Sequence, residues 1–406
     1  MTPNRISIAW AYGFLVLLFL ALTAWLPREQ HEVRLPKLAM ARSPEQTLGG
    51  LVPSGLWQLD AAKLHSSIDR LPGVRIGREL GNSLRIAAGQ RVEWIEWGGR
   101  APEMLFPTID LWVSRGINPD VADRLDRAAK IISDYDRKLA AEGWLLVVLP
   151  VPTKLSVHRD LAHWPMQGAD LLSRDPIDRD RSDEVYGYLQ RALEERDVHA
   201  VNLLARYRAS LAANPEQLLF ATNDSHWSGT GIRLAAIATA DEVASATALQ
   251  RKTPVRPTYL SVAHVGDLAK AFDPAPWWTS WLKPVWVFQD RLINGEQGQG
   301  YVYAAHPRGL LVGIGTSYTG QYTWIENQPV GLTWQIGLRL HEVEIQNRPV
   351  AGQGSFVAFG NFLREKDALE AEFAARAGPT APRVVIWEFP LRDIEGIASL
   401  SKAPAH

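Results

Sequence analysis

Three short, nearly continuous apolar runs constrain this chain more than any other feature: Trp144–Leu149 (WLLVVL), Gly309–Ile314 (GLLVGI) and Arg383–Trp387 (RVVIW). A strand without polar alternation must be covered on both faces, which is the signature of a parallel sheet packed between helices. The segments between them agree. Asn118-Pro119 reads as an N-cap followed by Pro at the first helical position. Val121, Leu125, Ala129, Ile132, Tyr135 and Leu139 continue at helical spacing up to Gly143. Further helices are expected over Glu184–Glu195 and Gly229–Val243, with additional strands at Ala200–Leu204 and Leu218–Ala221. Strands alternating with amphipathic helices predict an α/β fold, three layers deep, with a mostly parallel sheet.

Composition narrows the function classes. With 43 Lys+Arg against 44 Asp+Glu the formal net charge is -1, so there is no basic footprint and no nucleic-acid partner is expected. The chain has no Cys, which removes disulfides, thiolate nucleophiles, zinc ribbons and iron–sulfur clusters together. Its 16 Trp point either to a core built on large rings or to a surface on which sugar rings stack.

Ile6–Leu26 holds 21 residues without one charge. As a helix this run would be about 31 Å long, enough to cross a bilayer core of about 30 Å. Trp10 and Trp25 lie near its ends, where indoles favour the interface, and Arg5 precedes it, which places the N-terminus in the cytoplasm. A cleaved signal peptide is the alternative, but Leu22 is bulky where cleavage after Ala24 wants a small residue. The organisation expected is an anchor over 1–27, a tether over 28–94 and a folded domain over 95–402, interrupted by a Trp- and Pro-rich insertion at 247–300.

Several chemical candidates fail. His31-Glu32 and His341-Glu342 lack the second His that a helical metal pair needs. His158 and His163 are too loosely placed to argue a metal site, and Gly229–Gly231 lacks the rest of a phosphate-binding fingerprint. Two loops remain. Asp224-Ser225-His226-Trp227 precedes a helix, and an Asp two residues from a His can fix the imidazole tautomer and free Nε2 for a proton. Gly315-Thr316-Ser317-Tyr318 follows a buried strand and presents a Ser whose hydroxyl needs such a base, with backbone N–H groups around it for an oxyanion. By spacing alone, a turn with a satisfied histidine and an ordinary Gly-flanked loop fit equally well.

Asp224-Ser225-His226-Trp227 and Gly315-Thr316-Ser317-Tyr318 resemble the D-x-H-W and G-T-S-Y motifs of the AlgX/AlgJ-type alginate O-acetyltransferases. Pro150–Lys154, Gly266-Asp267-Leu268 and Val384–Glu388 agree with the same family, while Thr319 stands where its pattern has Ser. The resemblance implies an SGNH-hydrolase-like domain in a circularly permuted order, Asp and His before Ser. It implies Ser317 as acyl-accepting nucleophile, His226 as base and acid, and Asp224 as its orienting partner, with no cofactor and no metal. It also implies a polysaccharide acceptor, a membrane-bound O-acyltransferase as acetyl source, and a single-pass protein of the inner membrane with its catalytic domain in the periplasm. The end of the chain at His406 favours the anchored AlgJ-like form. Tyr318, Trp227, Trp324 and Lys154 are assigned to substrate binding, although Lys154 also fits a snorkelling surface residue. Trp277, Trp278 and Trp281 suit either a sugar-binding rim or packing against the body. An acetylesterase with the same triad, or a non-catalytic scaffold of an export complex, stays open.

Overall fold

A computed structural model describes residues 95–97, 104–107, 110, 113, 116–161, 181–251, 257–261, 266–268, 286–290, 307–320, 324–325, 328–329, 331–340, 343–378 and 380–399. Five strands form one sheet: β1 (Trp144–Val151), β2 (His199–Ala200), β3 (Gly309–Gly315), β4 (Val343–Pro349) and β5 (Arg383–Pro390). Their order is β4-β3-β5-β1-β2, and every pairing is parallel. Register runs from Arg383 against Trp144 to Pro390 against Val151, so the carboxyl ends of β1, β5 and β3 finish together.

The principal helices are α1 (Pro119–Ala141), α2 (Ser182–Glu194), α3 (Leu203–Ala213), α4 (Gly229–Ala246), α5 (Leu332–Gly337) and α6 (Ser355–Ala377). Asn118 caps α1 by accepting the Val121 N–H at 2.9 Å, Pro119 occupies its first turn, and Gly143 leaves the helix at φ +78°. That conformation is open to glycine at no steric cost.

Side chains alternate across a strand, so parity shows which helix lies on which face. Trp387 stacks on Phe359 of α6, and Trp144 meets Phe362 edge-on, with Tyr135 of α1 against Phe359. Gly313 pairs with Ile386 and therefore faces the other way. There Thr333 of α5 fills the space of the missing side chain, and α5 packs on α4. Helices thus flank both faces, the layered α/β arrangement expected. The core is continuous across the sheet: Leu146, Val147, Val148 and Leu149 of β1 are fully buried, as are Leu311, Val312 and Ile314 of β3.

Two expectations need correction. Leu218–Ala221 is no strand of the central sheet. Phe220 instead makes a single antiparallel bridge to Trp227, closing a loop on itself. The strand expected at Ala200–Leu204 is only His199–Ala200, because Asn202 caps α3 by accepting the Ala205 N–H. Within 247–300, Pro257–Ser261 pairs antiparallel with Trp286–Asp290, and Trp277, Trp278 and Trp281 lie outside the described residues. Among the described residues no helix is long and apolar enough to cross a membrane, and Ile6–Leu26 is not among them.

Candidate active site

Gly315 ends β3, and Ser317 opens the single helical turn Ser317–Gly320 at the carboxyl edge of the sheet. Open α/β sheets place their ligands at this edge. The loop 221–227 reaches the same place from the side. Its base is closed by the Ala221 N–H donating to His226 O (3.1 Å) and the Ser228 N–H donating to Leu219 O (2.9 Å). Gly231, at the start of α4, lies so near that a Cβ there would fall 2.1 Å from Leu219 O, so its glycine serves close packing against this loop.

The two loops, 91 residues apart in sequence, meet at one hydrogen bond: Ser317 Oγ lies 2.7 Å from His226 Nε2. His226 Nδ1 lies 2.5 Å from Asp224 Oδ1, which also accepts the His226 backbone N–H at 3.0 Å. An ionised carboxylate only accepts, so Nδ1 carries the proton and Nε2 is left as an acceptor for the serine hydroxyl. Asp224 and His226 are buried while Ser317 is partly exposed, so the chain of bonds runs from the interior out to solvent.

A second carboxylate braces the loop. Asp267 accepts the Ser225 N–H at 2.7 Å and the Ser225 hydroxyl, and its own N–H donates to Asp224 Oδ2 at 3.2 Å. A Cβ on Gly266 would come 2.1 Å from Asn223 O, which is why a glycine precedes Asp267. Asp224, His226 and Asp267 hold ligating atoms within 4.8 Å of one another. The Asp224 lone pairs, however, already accept N–H groups from His226 and Asp267, so the donors form a hydrogen-bonded relay.

Three residues assigned to substrate binding turn out to be internal. Tyr318 is 1% exposed; its hydroxyl donates to Ser225 O at 2.5 Å and its ring lies 4.6 Å from the His226 ring. Trp227 is fully buried, donating from Nε1 to Tyr318 O at 3.2 Å and meeting the Tyr318 ring edge-on. Lys154 neither snorkels nor faces solvent. It is fully buried at the end of β1, and its ammonium donates to Ala221 O, to Thr222 O at 3.2 Å and to Asp224 O at 2.9 Å. Burial pulls its pKa down to about 7, against the opposing pull of Asp224, Asp267 and Asp110. These three side chains are therefore packed into the loops that carry Asp224, His226 and Ser317. Trp324 belongs to the short strand Trp324–Ile325, and its side chain lies outside the described residues, as does His163. His158 is another strut, its Nε2 accepting the Leu219 N–H at 3.0 Å. Burial first, then the nearby Lys154 and Arg208 charges, lower its pKa to about 3, so it stays neutral.

Glu388 and Asp267 had been noticed in the sequence only as parts of matching stretches, with no role. Glu388 is fully buried in β5 and lies under the serine turn. Burial raises its carboxyl to about 7, while the donors from Thr316 and Thr319 pull the other way. A buried acid in an apolar strand was the available signal, since such a residue is rare without a partner.

Residues 105–391 match the family described as "ALGX: SGNH hydrolase-like domain, acetyltransferase AlgX". Among solved structures, the O-acetyltransferase domain of Pseudomonas putida AlgJ is similar at 21% identity and a TM-score of 0.49, covering 74% of this chain and 92% of that one. Pseudomonas aeruginosa AlgX is similar at 15% identity and a TM-score of 0.44, covering 76% of this chain and 67% of that one. No curated protein matches. The family match spans both loops and the sheet that carries them, and the chain belongs to the AlgX/AlgJ family of SGNH-hydrolase-like acetyltransferases.

Proposed function

We propose that this protein transfers an acetyl group through an acyl-enzyme on Ser317 to a hydroxyl of a secreted, alginate-like polysaccharide. The hydrogen-bonded chain from Ser317 Oγ through His226 to Asp224 carries this reading. Ser317 Oγ attacks the donor's acetyl carbon as its proton passes to His226 Nε2. The tetrahedral intermediate then collapses, and the leaving group takes that proton. An acceptor hydroxyl attacks the acetyl-serine and gives its proton to the same Nε2, which returns it to Ser317 Oγ as the new ester departs. Asp224 stabilises the imidazolium in both halves. Of the backbone donors around the nucleophile, the Thr316 N–H is bonded to Glu388 at 2.8 Å and the Tyr318 N–H to Thr316 Oγ1 at 3.2 Å. That leaves the Ser317 N–H as this turn's donor to the oxyanion.

The uncharged run Ile6–Leu26 supports a single-pass anchor in the inner membrane, with the catalytic domain in the periplasm where an exported polymer passes. A membrane-bound O-acyltransferase then supplies acetyl from the cytoplasmic side. The test uses the full chain in detergent with an activated acetyl ester, with and without an acidic oligosaccharide. The oligosaccharide should gain acetyl by mass spectrometry, and Ser317→Ala should remove that gain. Ester hydrolysis at full rate with no acetylated sugar would instead make the protein an esterase.

A further inference from the structure

Three observations converge on Glu388. It occupies the central strand β5, whose partner β3 delivers the nucleophile, and its side chain is fully buried. Its Oε2 accepts the Thr316 N–H at 2.8 Å, the Thr319 hydroxyl at 2.9 Å and the Thr316 hydroxyl at 3.0 Å. These donors flank Ser317 on both sides. Finally, a Cβ at Gly315 would sit 2.4 Å from Oε2, so the last residue of β3 must be glycine for the carboxylate to reach the turn. A buried acid costs stability unless something compensates, and its hydrogen bonds to Thr316 and Thr319 supply that compensation.

We infer that Glu388 is a positioning residue for Ser317: its carboxylate grips the Thr316–Thr319 turn from beneath and thereby aims the serine Oγ at His226. The inference rests on the acyl-enzyme reading above. Only a group that accepts from all three donors at once fits this geometry. A glutamine can keep its carbonyl oxygen where Oε2 lies, so the change that removes the shared acceptor is Glu388→Met, which has a similar length and no oxygen. The Thr319 hydroxyl belongs to the same device. A serine at that position would supply an equivalent donor, so the departure of this chain from the family pattern preserves the contact.

The consequence is geometric, since a displaced nucleophile loses rate far more than it loses binding. Glu388→Met should label with a sulfonyl fluoride about 10–100-fold more slowly and lose kcat for an acetyl ester by a similar factor, with KM within about two-fold, while Glu388→Gln should keep most of the rate. Thr319→Val keeps the shape and removes one donor, and should lose part of the rate. Thr319→Ser should restore it. In the double variant Glu388→Met/Thr319→Val, the losses should fall short of multiplying, because both act through one contact. A structural role alone would lower the melting temperature and leave the labelling rate of the folded fraction unchanged, which would overturn the proposal. So would independent, multiplying losses in the double variant. If Glu388→Met does not fold, the Thr319→Val and Thr319→Ser pair decides by labelling rate alone. Labelling that persists in Ser317→Ala would strike the acyl-enzyme reading itself, which separates the two failures.

Discussion

Asp224 divides its two oxygens between the His226 imidazole and the Asp267 backbone, so its substitution tests orientation more than packing. Asp224→Asn places an amide N–H where the imidazole needs an acceptor, favouring the wrong tautomer. Turnover should fall by about 10⁴ with the melting temperature little changed, measured on one preparation by initial rates and thermal unfolding. Lys154 is the opposite case, a buried cation whose partners are three backbone carbonyls of the catalytic loop. Its pKa is lowered from 10.5 to about 7 in the folded chain, so between those values the unfolded chain binds the extra proton. Stability therefore rises with pH across that window, by at most about 1.4 kcal/mol per unit. Lys154→Met should abolish this rise and, by stripping a donor from buried acceptors, cost about 3–5 kcal/mol near neutrality. Denaturant unfolding at two pH values inside the window measures both, and an unchanged slope in the variant would assign the effect elsewhere. At this scale the sequence singled out the residues that the structure brings together but misjudged their neighbours. Asp-x-His and Gly-Thr-Ser are short patterns whose chemistry follows from residue type. Whether Tyr318, Trp227 or Lys154 faces a ligand or the interior depends on what packs over them.

Elements followed the patterns that local physics enforces. The N-cap Asn118 with Pro119, the stop at Gly143 and the continuous runs of β1, β3 and β5 are all present in the structure. Asn118→Ala should cost about 1 kcal/mol in chemical unfolding, the usual value of such a cap. Leu218–Ala221 was misread because a short apolar run buried in a loop looks like a strand, and only the lone Phe220–Trp227 bridge distinguishes it. The strand β4, last in the sheet among the described residues, went unlocated because its sequence VEIQNRP mixes apolar and polar residues. A tertiary dependence sits at Gly313, where a Cβ would fall 2.0 Å from Thr333 Oγ1. Gly313→Ala should destabilise by about 1–3 kcal/mol, and adding Thr333→Ala should recover part of that loss. Full additivity of the two changes would show that the contact does not limit the approach of α5 to the sheet.

In the whole molecule, β5 lies at the centre of the sheet with parallel partners on both sides, and Val384, Val385, Trp387 and Phe389 are fully buried. Hydrogen exchange read by mass spectrometry should find β5 and β1 the slowest segments and the edge strand β4 faster. Equal protection of β4 and β5 would contradict this order. The sequence by itself determined the α/β class and the parallel sheet, and it singled out the two loops that carry Asp224, His226 and Ser317. The class and the sheet follow from apolar period and glycine placement within a few consecutive residues, and the two loops from their resemblance to the family's motifs. Tertiary structure alone decided that Ser317 and His226, distant in sequence, come within 2.7 Å of each other. It also decided that Lys154 bonds to the loop of Asp224 and Glu388 to the turn of Ser317. Those facts depend on which strand ends are neighbours in the sheet. Strand order is set by how helices cover both faces at once, a global packing condition that no local window of residues contains.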